Sequence, residues 1–223
     1  MAVSSNQNFN LDIDEVIQEA YENLGGPPIT GHESSTARRS LNLLLSDWQN
    51  RGILLWTTSE ISQTMTSGTA SYSLASTVCG VVEAVCSRNS TEIQMDRISM
   101  EMYLKIPDKT TTGRPIHIAT HRLRDNIDFY VWPTPENSTD VVKLWSVNRF
   151  YNFDKSSEDP DVPYRFLPPL SAGLSYFLSL KRPGISAQRS SMLQQHYEIL
   201  LNNAMEEDRE RVSLLAKPRI RIY

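Results

Sequence analysis

The chain predicts an α+β fold, on three observations. Apolar residues recur with helical period near both ends. Between them they alternate with strand period. The change from one period to the other falls at a glycine stop, Gly52. The architecture expected is an α-helical bundle core built from both chain ends, with an inserted antiparallel β-rich domain and a C-terminal extended arm. Residues 1–56 and 160–216 supply the two parts of the helical core, 57–159 the β-rich insert and 217–223 the arm.

The first helix begins at Asp12, where Asp12-Ile13-Asp14-Glu15 has the spacing of a capping box. Val16, Ile17, Ala20, Tyr21 and Leu24 form its apolar stripe, and Gly25-Gly26-Pro27-Pro28 stops it. The second helix is expected over Thr36 to Arg51. Ala37, Leu41, Leu44, Leu45 and Trp48 line one face, and Gly52 comes next, where a left-handed C-terminal cap is needed. An apolar strand is then expected from Leu54 to Thr58. Further strands are expected at Ile61–Thr66, Ser71–Leu74, Val78–Ser87, Glu92–Ser99, Ile116–Leu123, Ile127–Trp132 and Val141–Phe150, with a helical turn over Ser99–Ile106. Ile127, Phe129 and Val131 share one face; Asp128, Tyr130 and Trp132 share the other. Ser156 to Pro163 reads as an acidic linker. A helix then starts near Pro168-Pro169, with Ala172, Gly173 and Ser175 as a small-residue face for close packing. A last helix runs from about Ser186 to Ala216.

Bulk composition narrows the function. The 223 residues carry 39% hydrophobic and 22% charged side chains, enough for a packed core. No apolar run reaches the roughly 18 residues of a membrane span. Residues 1–10 read as a loose polar arm rather than a signal peptide. The net charge of −4 argues against a strong duplex-DNA binder. Of the 22 basic residues 16 are arginine, the cation suited to planar pairing at protein interfaces. Cys79 and Cys86 project to opposite faces of a strand and read as reduced, buried small residues of a reducing interior.

Residues that could carry chemistry are few and scattered. His117 and His121 have helical metal spacing but lie in a strand, about 13 Å apart along one face, so an exposed sheet face is the plainer reading. Gly25-Gly26 follows a helix, the reverse of a phosphate loop. There is no nucleophile elbow and no defensible Cys–His pair, so no enzyme activity, metal or cofactor is expected. Asn89-Ser90-Thr91 and Asn137-Ser138-Thr139 match the glycosylation sequon and are read as turns. The run Glu206–Arg211 is either a solvated face or a face against a neighbouring subunit. The end, Lys217-Pro218-Arg219-Ile220-Arg221-Ile222-Tyr223, alternates basic and apolar residues. It suits a strand added to another chain's sheet edge, against the alternative of a frayed end. Trp56, Trp132, Trp145, Tyr130 and Tyr151 are core aromatics or, alternatively, a glycan- or partner-docking face.

Four segments together resemble a known family. They are Glu15-Val16-Ile17-Gln18-Glu19-Ala20-Tyr21; Ala37-Arg38-Arg39-Ser40-Leu41-Asn42-Leu43-Leu44 with Trp48-Gln49-Asn50-Arg51-Gly52; Leu170-Ser171-Ala172-Gly173-Leu174-Ser175-Tyr176; and the Tyr197–Arg211 helix. The pattern is similar to the head-to-tail adaptor, or connector, proteins of short-tailed bacteriophages, also called tail tubular protein A or packaged-DNA stabilisation proteins. The resemblance implies a structural virion protein at the head–tail junction, made in the host cytoplasm. It implies a ring, usually dodecameric, that binds the portal protein above and the tail nozzle protein, with tail fibres as a further contact, below. DNA would pass through the channel at ejection without sequence-specific binding, and no membrane is involved. By position, Lys217, Arg219, Ile220, Arg221, Ile222 and Tyr223 would form the portal-binding arm. The alternative is a tail-associated glycan-, receptor- or fibre-docking module that uses the β domain.

Overall fold

The computed structural model describes residues 11–26, 31–53, 55–153, 155 and 159–208. It is an α+β protein whose chain divides into two compact units. A helical unit takes the chain up to Leu44 and again from Phe153; a β-rich unit takes Leu45–Asn152.

In the helical unit, α1 (Ile13–Asn23) starts on the expected box. The Asp12 carboxylate accepts from the Glu15 N–H at 2.8 Å, and the Glu15 carboxylate accepts from the Asp12 N–H at 3.2 Å. At its other end the Gly25 N–H reaches the Glu22 carbonyl and the Gly26 N–H the Tyr21 carbonyl, with Gly25 at φ +81°. This paired pattern is a Schellman stop. Arg189 donates to the Asn23 carbonyl at 2.7 Å, and the Arg182 guanidinium lies 5.6 Å from the Tyr21 ring centre. Two cations thus sit where the helix dipole is negative. α2 (Gly31–Asn50) ends in the same way at Gly52, where Ile53 N–H bonds the Trp48 carbonyl and Gly52 N–H the Gln49 carbonyl.

The helix α2 begins five residues before the expected Thr36. Ser34 and Ser35 are weak helix formers and read as loop, but the Tyr21 hydroxyl donates to the Glu33 carbonyl and so ties that first turn to α1. α4 (Leu167–Ser179) has prolines in its first turn and is buried almost all round. A Cβ on Gly173 would stand 2.8 Å from the Tyr197 ring and 2.9 Å from Leu44, so the small-residue face is where α2 and α5 (Ala187–Asp208) close on α4. Buried Ser171, Ser175 and Ser179 satisfy their hydroxyls on carbonyls three or four residues back. Residues 209–216 of the expected last helix lie outside the described residues.

The β-rich unit is a sandwich of two four-stranded sheets. One orders β1 (Thr58–Thr64), β10 (Val141–Asn148), β3 (Val78–Arg88) and β4 (Thr91–Gln94), all antiparallel. The other orders β2 (Ser71–Ser73), β8 (Ile127–Trp132), β7 (His117–Arg122) and β5 (Asp96–Ile98). Val81, Ala84, Cys86, Val142 and Leu144 of the first sheet meet Ile118, Ile127, Phe129 and Val131 of the second in a single core. β8 alternates buried and half-buried along its length, with Ile127, Phe129 and Val131 inward as expected.

The segment from Gly52 to Asn152 departs from the expected elements in three ways. The segment after Gly52 is a turn of 3-10 helix, Leu55–Thr57, and not a strand; it turns the chain into β1 and sets Trp56 against Phe150, ring centres 5.4 Å apart. The strand expected over Glu92–Ser99 is two strands that change sheets at Met95, whose side chain is buried and whose N–H bonds the Ala84 carbonyl. The insert is not wholly antiparallel. β5 runs parallel to β7, and a two-residue bridge pairs β6 (Thr112–Gly113) parallel to β9 (Thr134–Pro135). The crossover that a parallel pair needs contains α3 (Met100–Leu104), capped by Ser99 at the position expected for a helical turn.

Candidate functional site

Both sequons are turns. Asn89 and Ser90 have φ of +48° and +62° between the paired Arg88 and Thr91, which is a two-residue hairpin loop of the primed type. The Asn137 side-chain oxygen accepts from the backbone N–H groups of Thr139 and Asp140. His117 stacks on Trp132 with ring centres 5.6 Å apart, and His121 is exposed. Among the described residues no group of three or more His, Cys, Asp or Glu is placed to hold a metal ion. Cys79 and Cys86 are both free thiols. Burial raises the Cys86 thiol above its ordinary pKa, so it is inert rather than nucleophilic.

Two of the aromatics offered for glycan docking are engaged internally. Trp132 donates its indole N–H to the Asp108 carbonyl at 3.0 Å, and Tyr130 packs on Tyr103 at 5.3 Å. Trp145 and Tyr151 are exposed at 45% and 75%.

The described surface includes two concave places, one in each unit. In the β-rich unit a cleft of about 550 Å³ opens at one end of the sandwich. Arg97 from β5, Arg122 from the end of β7 and Arg149 just after β10 line it, over a floor that includes Val78 and Ile127. No carboxylate lines this cleft, and none of its three arginines has an ion pair among the described residues. The Arg122 guanidinium lies over Gly80, 3.3 Å from where a Cβ would stand, so the absence of a side chain there opens the cleft wall. Three forked cations over an apolar floor suit a carboxylate-bearing protein segment. Sequence reading registered the excess of arginine but not this grouping, because residues 97, 122 and 149 come together only through sheet pairing.

The second place, in the helical unit, is a groove of about 600 Å³ between α1 and the start of α4. Its α1 wall carries Glu15, Glu19 and Glu22 on one helical stripe, and its other wall includes Tyr164 and Pro168. The residues offered as a portal-binding arm, Lys217, Arg219, Ile220, Arg221, Ile222 and Tyr223, lie outside the described residues. No described helix is long and apolar enough to cross a membrane.

The chain belongs to the SU10 adaptor protein family, which matches it over residues 11–219 and so takes in both units. It is a structural adaptor of a bacteriophage virion. No curated protein matches it.

Proposed function

We propose that the chain is one subunit of a ring of about a dozen copies that joins the portal to the tail nozzle of a short-tailed virion. The ring forms a stretch of the DNA channel and helps retain packaged DNA. The observation that carries this reading is the adaptor-family match across almost the whole chain. The acidic balance, a net charge of −4, supports it, since a strongly basic channel would hold the genome. The C-terminal arm docks on the portal, and the arginine cleft of the β-rich unit receives an acidic segment of a tail component.

Particle imaging of the protein mixed with portal tests the ring. A closed ring on portal supports it, and portal left bare at micromolar protein overturns it. The surfaces are then separated by variants. Deleting 217–223 is expected to abolish portal docking, while Arg97→Ala/Arg122→Ala/Arg149→Ala leaves portal docking intact and weakens nozzle binding at least about tenfold.

A further inference from the structure

The acidic groove of the helical unit has an unfilled pattern. Glu15, Glu19 and Glu22 line it without a cation partner among the described residues, although Glu15 also caps α1 and Glu22 accepts from Gln18. The opposite wall exposes Tyr164, at 72%, beside Pro168. The described chain ends beside this groove: the Asp208 carboxylate, only 7% exposed, is paired with Arg165, the neighbour of Tyr164.

The sequence beyond Asp208 is complementary to both walls. Residues 209–223 carry five cations, Arg209, Arg211, Lys217, Arg219 and Arg221, against the single carboxylate Glu210. In an extended segment Lys217, Arg219 and Arg221 fall on one side, with Pro218, Ile220 and Ile222 on the other. Arg219 and Arg221 would be about 6.6 Å apart, and Glu15 and Glu19 are about 6 Å apart along α1. The eight residues from 209 to 216 span up to about 26 Å when extended, ample for a start next to the groove. Residues 1–10, the other segment adjoining the groove through Leu11, carry no charged side chain and so offer no match to the acidic wall.

We propose that this groove holds the chain's own C-terminal arm, residues 217–223, in the free protein. Arginines of the arm face the α1 carboxylates, and its isoleucines cover Tyr164 and Pro168. The arm is thereby stored against its own helical unit until something competes for it. This goes beyond the portal-docking reading and does not rest on it, because the protein alone tests it.

The experiment times tryptic cleavage after Arg219 and Arg221 in the full chain by mass spectrometry. Wild type is expected to be cut slowly, and Glu19→Lys/Glu22→Lys at least about tenfold faster. That variant keeps Glu15 and hence the helix cap. A second pair uses glutamyl endopeptidase. Arg219→Glu/Arg221→Glu is expected to be cut quickly, and its combination with Glu19→Lys/Glu22→Lys to return to slow cutting. Protection unchanged over about a hundredfold dilution supports storage within one chain. Equal tryptic rates in wild type and Glu19→Lys/Glu22→Lys overturn the proposal. Protection that fades on dilution overturns it too, by placing the arm in a second copy.

Discussion

The helical and β-rich units solve the burial problem in opposite ways. The helical unit is written locally. α1 is fixed by a four-residue box at one end and a two-glycine stop at the other, and its stripe of Ile13, Val16, Ile17, Ala20 and Tyr21 is buried. The β-rich unit is written at a distance. β10 lies between β1 and β3, pairing Leu144 with Ile61 on one side and with Ala84 on the other. Its one buried carboxylate among the described residues, Asp140, is matched by Arg88 from 52 positions earlier through bonds of 2.6 and 2.7 Å. Each unit is therefore fragile in a different place. The β-rich unit is exposed to loss of a single long-range partner, and the helical unit to crowding at its closest helix contact.

The largest test of that contrast is Arg88→Met. Arg88 also reaches Glu136 at 2.6 Å, and its bond to Asp140 raises its own pKa above the ordinary arginine value. Removing it strands a buried charge and is expected to cost about 3–5 kcal/mol. Hydrogen exchange during urea titration should show the loss confined to residues 45–152; an equal loss in α4 would break the contrast. Next comes Gly173→Ala, which pushes a methyl into Tyr197 and Leu44 and is expected to cost about 1–3 kcal/mol, read as faster exchange in α4 and α5 with the sandwich unchanged.

Asp12→Ala removes one half of the α1 box and is expected to cost about 1 kcal/mol, with fraying limited to the first turn. Asp12→Asn should recover most of it. The smallest effect is a pH response at the turn after α3. Asp108 accepts from the Thr110 hydroxyl and N–H and from the Thr111 hydroxyl, and these bonds lower its pKa from the ordinary 3.8. The stabilisation is therefore complete above pH 3.8 and fades as pH falls through the lower folded value. Protection of the Thr110 amide, taken relative to its intrinsic exchange rate, should fall over that acid range in wild type and be low and independent of pH in Asp108→Ala.

Legibility followed the same division. The capping box, both glycine stops, the Gly173 packing face, the alternation of β8 and the helical turn after Ser99 were all readable, because each depends on neighbours within a few residues. The Leu54–Thr58 segment differs from its expectation because its apolar residues fit a strand and a tight turn equally well, and the packing of Trp56 on the distant Phe150 belongs to the turn. The split at Met95 was hidden because a strand that changes sheets keeps its alternation; the change shows only in its partners, Ala84 on one side and the β7 register on the other.

Hydrophobic period and cap chemistry act over one or two turns, and they were enough for the fold class, both ends of α1, the glycine stop of α2 and the inward face of β8. Tertiary structure alone decided the parallel pairing of β5 with β7, the Arg88–Asp140 bond and the gathering of Arg97, Arg122 and Arg149 in one cleft. Those depend on which distant segments share a ladder, and backbone hydrogen bonds, alike at every residue, leave that choice to the packing of the whole core.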